Sequence, residues 1–549
     1  MQRRFALLSL GVSLLGAAAL GACTGEDPQP CTGPTCNGTP AGDGGPTATA
    51  AFELASGASI TLVQGASVDV DITVTRSSFD GPITAGVTGL PAGVIPSPLV
   101  IAAGATTAKL TLSALATAAQ GSTSITITGS SSDGAIHRER SSTLLVRGSA
   151  GGADTTFGGI GKMASAVGTT GIAVQSVAVQ ADGRILVGGQ SDNDFVAVRL
   201  DGAGALDRTY GGTGVVTIDL QSTGGMASTD TATGMALASN GAAVLGGFRA
   251  NGAENTYGLV RLTTSGAPDT TFTSTGYAIP SFVPAPANSQ VAFGVTVQAD
   301  GRILLAGSVL RDPALPTESV IARFKTNGTP DDTFGVGTSG FFHGHSQATA
   351  NDSCEAVTLA PDGKILAACS ADDGGMHPVA MRLLVNGLLD PAFGPGAGYS
   401  PVALPGGSAH AIHVLSDGRL LLAGDTADGR LFIVRLQSDG TIDTSFGPNG
   451  TVFVTLSAKV SGGRSALDAS GRLVFTGGLG DNGDLVVARV DAAGKLDTTF
   501  ATTGYVVTPA SSKAVGGNAR VAIAPDGRIV AVTNLAAAPA SLFAVRLWN

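Results

Sequence analysis

Seven times between Asp154 and Asn549 the chain repeats one motif, typified by AVQSVAVQADGRILVGGQSDNDFVAVRLDGAGALDRTYGGTGVV. Its closing Asp-x-x-aromatic falls at Asp154, Asp207, Asp269, Asp331, Asp390, Asp443 and Asp497, in steps of 53, 62, 62, 59, 53 and 54 residues. A period of this size marks a repeat architecture, in which each unit buries its apolar face only against its neighbours. Each unit holds four apolar runs, which in the first copy are 173–180, 184–189, 195–200 and the segment after Phe157 through Gly161. The turn between the first two runs carries Gly183, Gly241, Gly301, Gly363, Gly418, Gly471 and Gly527 in the seven copies. A short hairpin loop needs a left-handed residue at such a point, and glycine supplies it without a Cβ clash. Four strands in about 56 residues describe a propeller blade.

The phase of the repeat predicts how a ring closes. The chain enters the repeats on an outer strand and ends on a third strand, Phe543 to Leu547. The last blade therefore lacks an outer strand, and the first segment, about 154–166, is a spare one. Pairing the two removes the exposed sheet edges of an open array. The expected fold is all-β: an N-terminal sandwich at 50–148, then a seven-bladed propeller of four-stranded blades at 150–549.

The motif resembles the delta-60 repeat of bacterial surface proteins, itself similar to the NHL repeat. Gln-Ala-Asp-Gly-Arg-Ile-Leu, Val-Arg-Leu and Leu-Asp-Thr-Thr-Phe all match, and the second copy departs where Ser239-Asn240-Gly241-Ala242 replaces the acidic-basic turn. Residues 52–147 change to short alternating runs, SITLV, SVDVDITVT, AKLTLSA, STSITITG and STLLV, as in an antiparallel sandwich. The run from Gly89 to Val94 and the strand ending at Gly104 resemble bacterial immunoglobulin-like domains of the spacer type. This region has neither Cys nor Trp, so the antibody-type disulfide is absent.

At the N-terminus, Arg3 and Arg4 precede an apolar stretch from Phe5 to Leu20, the pattern of a cleaved export leader. Leu20-Gly21-Ala22-Cys23 resembles the lipobox of bacterial lipoproteins, in which the leader (1–22) is removed and the cysteine is acylated. That resemblance implies lipidation at Cys23 and attachment to the membrane through acyl chains rather than a spanning helix. Thr24 follows in place of the Asp of many inner-membrane lipoproteins, which favours the outer membrane or cell surface. Residues 24–49 are rich in Pro, Gly and Thr and read as a flexible tether reaching roughly 28 Å. In an oxidising exterior, Cys31 with Cys36 and Cys354 with Cys369 are the economical disulfide pairs. Zinc is the alternative, but no His lies at ligand spacing from either pair.

The formal charge of −10 disfavours nucleic acid, which needs a basic footprint. Repetition within the chain separates scaffold from function. Arg199, Arg261, Arg323, Arg382, Arg435, Arg489 and Arg546 occupy one position in all third strands, just ahead of the seven Asp residues named above. Such pairs suggest bidentate stitches of strand to turn or blade to blade, with an arginine ring for an anion as the alternative. The repeat aromatics Phe157, Tyr210, Phe272, Phe334, Phe393, Phe446 and Phe500 read as packing between blades.

Loops vary where the scaffold does not, and two loop sets open on one face of a propeller. Four of the loops after the second strands are acidic: Asp192 and Asp194, Asp372 and Asp373, Asp425 and Asp428, Asp481 and Asp484. These are the candidate binding face, with Ca²⁺ as a possible but unspecific occupant, since no EF-hand spacing is present. His343 with His345, and His410 with His413, form the two histidine pairs. No nucleophile elbow, zincin motif or P-loop occurs. The expectation is a monomeric, cofactor-free, non-catalytic binding scaffold for a protein partner or surface polysaccharide. The alternatives are a hydrolase or lactonase-like propeller enzyme with a channel site, and a purely structural envelope component.

Overall fold

The computed structural model describes residues 49–549 apart from 221–227, 253, 283–288, 313, 336, 338, 348–349, 396, 510–517 and 537–538. The leader, Cys23, Cys31 and Cys36 lie outside the described residues. A 3₁₀ turn spans Pro448–Gly450.

The N-terminal region is a sandwich of a four-stranded and a five-stranded sheet. Alternation drives it: in Ser67–Ser77 the inward Val70, Ile72 and Val74 are buried while the residues between them are exposed. Phe52, Leu62, Leu110, Ile125 and Leu144 fill the space between the sheets. The expectation of a wholly antiparallel sandwich needs one correction, because Ser59–Val63 pairs parallel to His137–Arg147. The segments that meet, SITLV and TLLVR, are both rich in β-branched and leucine residues, and no local pattern distinguishes parallel from antiparallel pairing.

From Ala153 onward the chain is a seven-bladed propeller. Its inner strands are Ala173–Val179, Thr229–Leu237, Ser289–Val297, Asn351–Leu359, Gly407–Val414, Val460–Leu467 and Arg520–Ile523. Each contacts the next, and the last contacts the first. In blade 1 the sheet continues outward through Ile185–Ser191, Asp194–Leu200 and Val215–Ile218. The second and third strands of the blades are buried along almost their whole length, since both faces lie against other blades.

Closure follows the phase of the repeat. Lys162–Ala166 pairs antiparallel with Ser541–Leu547, Lys162 opposite Val545 and Ala166 opposite Ser541. The spare outer strand thus begins just after Gly161, not at 158–161 as the motif alone suggested. Residues 158–161 form the tight turn before it, with Gly158, Gly159 and Gly161 at positive φ.

The repeated arginine does two jobs at once. In every copy its Nε donates to one oxygen of the repeat aspartate at 2.6 to 2.9 Å. The other aspartate oxygen accepts the backbone N–H two residues further on. The pair is therefore not bidentate, because the second carboxylate oxygen is already occupied by its own turn. In six copies Nη1 reaches the next blade instead, as in Arg261 to the Thr326 carbonyl and Arg546 to the Gly202 carbonyl, both 2.7 Å. Each guanidinium also lies 4.4 to 4.9 Å over the repeat aromatic. In six copies the basic residue of the first turn adds a second cation to the same aspartate, for example Arg528 to Asp154 at 2.7 Å. In the second copy Ala242 takes that place, and Asp269 has Arg261 alone.

Cys354 and Cys369 form a disulfide across the inner hairpin of blade 4. The position of Cys369 is Gly189, Gly247, Gly307 and Gly424 in blades 1, 2, 3 and 5, where an added Cβ would sit 1.8 to 2.1 Å from a carbonyl oxygen of the inner strand. The strands approach so closely here that blade 4 replaces a glycine contact with a covalent one.

Candidate functional site

Every one of the first five inner strands breaks register at the same place, eight residues before its turn glycine. The extra residues are Gln175, Thr233, Phe293, Glu355 and His410, and all five line the central channel. A β-bulge re-aims the side chain it inserts, and bulges are common beside functional sites. The channel cavity has a volume of about 520 Å³.

The next position, seven residues before the turn glycine, carries small residues in five blades: Ser176, Gly234, Gly294, Ala356 and Ala411. In blades 6 and 7 it is Arg464 and Arg520. Two guanidiniums therefore enter the channel from adjacent blades at a site the repeat otherwise keeps small. Arg464 Nη2 donates to Glu355 at 2.9 Å, and its Nη1 is buried without a hydrogen-bond partner among the described residues. Arg520 Nη2 donates to Gln175 Oε1 at 2.7 Å.

His410 is clamped between two carboxylates, Nδ1 to Glu355 at 2.8 Å and Nε2 to Asp425 at 2.9 Å. Asp425 Oδ2 accepts the Gly463 N–H at 2.8 Å. Burial pushes the Glu355 carboxyl up, but Arg464, His410 and Arg520 outweigh it and hold it at about 2. Burial and Arg464 push the His410 imidazole down, while Glu355 and Asp425 more than compensate and raise it. Burial, reinforced by Arg464, lowers Arg520 to about 9 against the pull of Glu355. With His410 protonated, three cations face two carboxylates. The channel is a positively charged pocket in an acidic chain.

The other sequence-level candidates scatter. Asp192 accepts bonds from Thr169 and Thr170 in the loop leading to the inner strand, so in blade 1 these two loops meet. Asp428 pairs with Arg430, Asp373 with His377, and Asp372 caps the Gly374 N–H. Asp481 and Asp484 lie in and beside the turn opening the third strand of blade 6. His343 and His345 flank Glu318, and His343 stacks on Phe341. His413 is half-buried and bonds Ser465 at 2.9 Å, and desolvation holds its imidazole down at about 4. Glu355, Arg464 and Arg520 escaped motif reasoning, although aligning the copies on their turn glycines exposes both arginines as departures.

Comparison with known proteins places this architecture. A family model described as a domain of unknown function (DUF5122) β-propeller matches residues 180–210, 243–272, 298–334, 360–393 and 415–446. Each segment starts at or just after the inner hairpin turn and stops at the repeat aromatic, so the match follows the blades. No curated protein matches the chain significantly. Among solved structures, murine CRIg is similar at 10% identity over 18% of this chain and 97% of its own, with a TM-score of 0.11. The YadV chaperone is similar at 9% identity over 38% and 99%, with a TM-score of 0.16. The titin domains z1z2 in complex with telethonin match at 10% identity over 39% and 94%, with a TM-score of 0.12.

Proposed function

We propose that this chain is an exported, lipid-anchored protein whose propeller is a non-catalytic binding module. In this reading Cys23 carries the anchor, residues 24–49 are the tether, and the sandwich is an immunoglobulin-like spacer. The propeller, of delta-60 type, receives an anionic group of a protein partner or surface polysaccharide in its channel. The observation that carries the reading is the pair Arg464 and Arg520 at a position that is small in the other five blades. Planar guanidiniums suit carboxylate or sulfate recognition, and about 520 Å³ falls within the range of small-ligand pockets.

Binding fits these groups better than proton transfer does. A general base works best with a pKa near the operating pH. Glu355 is held far below it, and both His410 nitrogens are engaged by carboxylates. Among the described residues, moreover, the acid–base groups of the channel come from blades 4 and 5, where an enzyme reading calls for at least three blades. Calorimetry against sugar acids, neutral sugars and acidic peptides tests the proposal. An acidic compound should bind and be lost in Arg464→Gln/Arg520→Gln with the fold retained. Turnover of the bound compound, or binding untouched by both substitutions, would contradict it.

A further inference from the structure

A second cluster of charge lies outside the channel, at the seam between blades 1 and 2. Asp194 opens the third strand of blade 1, Asp219 follows its outer strand, and Asp230 belongs to the inner strand of blade 2. An oxygen from each lies within 4.8 Å of an oxygen from the other two. The fold enforces this meeting. Asp230 N–H donates to the Asn193 carbonyl at 2.7 Å, and Leu220 N–H donates to Asp230 Oδ2 at 2.7 Å. Both chain neighbours of the cluster are thus tied to Asp230.

Asp230 is fully buried, and among the described residues its Oδ1 has no hydrogen-bond partner. A buried carboxylate oxygen left without a donor is costly. The capping job does not require the charge. At the same repeat position blade 3 uses Gln290, whose Oε1 accepts the Phe282 N–H at 3.1 Å. Blade 4 uses Asp352, whose Oδ1 is likewise buried without a partner among the described residues, but the charges beside that residue are the histidines His345 and His377. Asp230 has carboxylates beside it instead, and burial, with Asp219 and Asp194 adding to it, outweighs the hydrogen bonds from the Leu220 N–H and the Ser228 side chain and pushes its carboxyl up. Asp194 is raised in the same way by burial, Asp219 and Asp192. Arg249 faces Asp230 across the strand pair, but among the described residues no ion pair joins them, and Arg249 Nε is itself unpartnered.

We propose that Asp194, Asp219 and Asp230 hold a divalent cation, Ca²⁺ by donor chemistry, that pins blade 1 to blade 2. The three donors are hard carboxylate oxygens, which suit Ca²⁺ rather than a soft or nitrogen-seeking metal. Ligand oxygens at roughly 2.3–2.6 Å from one ion stand no more than about 5 Å apart, which the cluster satisfies. The ion would supply the missing partner for the buried Asp230 oxygen and cancel the repulsion among the three groups.

The test is titration of Ca²⁺, and of Tb³⁺ as a luminescent reporter, into the purified metal-stripped full chain. The expected result is one site per chain and a rise in melting temperature with Ca²⁺. Asp230→Asn keeps an acceptor for Leu220 N–H, as Gln290 does for Phe282, and should fold while weakening Ca²⁺ by tenfold or more. Asp194→Asn should do the same. Asp352→Asn, equivalent in the repeat but outside the cluster, should bind as the parent does. The proposal is overturned if the parent shows no saturable Ca²⁺ binding up to roughly 10 mM, above the weak extracellular range. It is equally overturned if Asp230→Asn binds unchanged, or if Asp352→Asn weakens binding as much.

Discussion

Asp154 and Arg546 stand 392 residues apart in the chain and share a buried hydrogen-bonded ion pair of 2.6 Å. The same pair in the other blades joins residues eight apart. One repeated contact therefore builds each blade and, when its halves come from the two ends of the repeat array, closes the ring.

Breaking that closure should cost more than breaking a mid-ring copy. Asp154 is fully buried and takes both Arg546 and Arg528, whereas Asp269 is partly exposed and takes Arg261 alone. Removing one partner of a buried pair costs about 3–5 kcal/mol. Asp154→Asn should lower the melting temperature more than Asp269→Asn does, compared by calorimetry at one scan rate because large chains unfold irreversibly. Equal losses would show that the seam is no more critical than any blade.

Acid should unfold the propeller through its aspartates. Burial pushes these carboxyls up, but hydroxyl and backbone hydrogen bonds with the arginines outweigh it, and the carboxyl is lowered in all seven copies. A depressed folded pKa gives stability that is present above the unfolded value of about 3.9 and lost as pH falls through the folded value. The melting temperature should therefore hold down to about pH 5 and fall steeply below about pH 4.

The channel histidine titrates with the opposite sign. His410 is raised, so its stabilisation is complete below the unfolded value of about 6.5 and fades as pH rises through the folded value. His413 is lowered and pulls the other way, so the variant and not the parent profile is informative. Asp425→Asn should bring the His410 titration, followed by NMR, to lower pH. An unchanged titration would detach Asp425 from the site.

Close strand approach at the inner hairpins predicts a steric effect. A Cβ at Gly247 would meet the Thr231 carbonyl at 1.9 Å, while Gly202 has open space around it. Gly247→Ala should destabilise by about 1–3 kcal/mol, as overpacking does, and Gly202→Ala should be near neutral.

Much of this architecture is legible in the sequence because the repeat writes it seven times. The turn glycines, the Arg and Asp positions and the spare outer strand all follow from aligning copies. The bulges at Gln175, Thr233, Phe293, Glu355 and His410 are not legible, because a bulge is defined by its cross-strand partner and leaves no compositional mark. Asp425 read as a loop acid, yet the second strand runs far enough to place it against His410. Glu355 belongs to a different blade from His410, and only ring geometry brings them together. The sandwich–propeller junction was equally hidden: Gln120 accepts from Trp548 Nε1 at 3.0 Å and from the Thr155 N–H at 2.8 Å. Residues 428 apart meet there, beyond the reach of any local pattern.

Under the proposed function, residues shared by the copies build the ring and departures from the repeat bind. Melting temperature and ligand affinity measured together on Arg323→Met and Arg520→Gln test this most directly. Arg323→Met should melt several degrees lower and keep its affinity for the acidic ligand. Arg520→Gln should lose affinity by tenfold or more with a smaller change in melting temperature. The reverse pattern, a shared arginine needed for binding and a channel arginine needed only for stability, would contradict it.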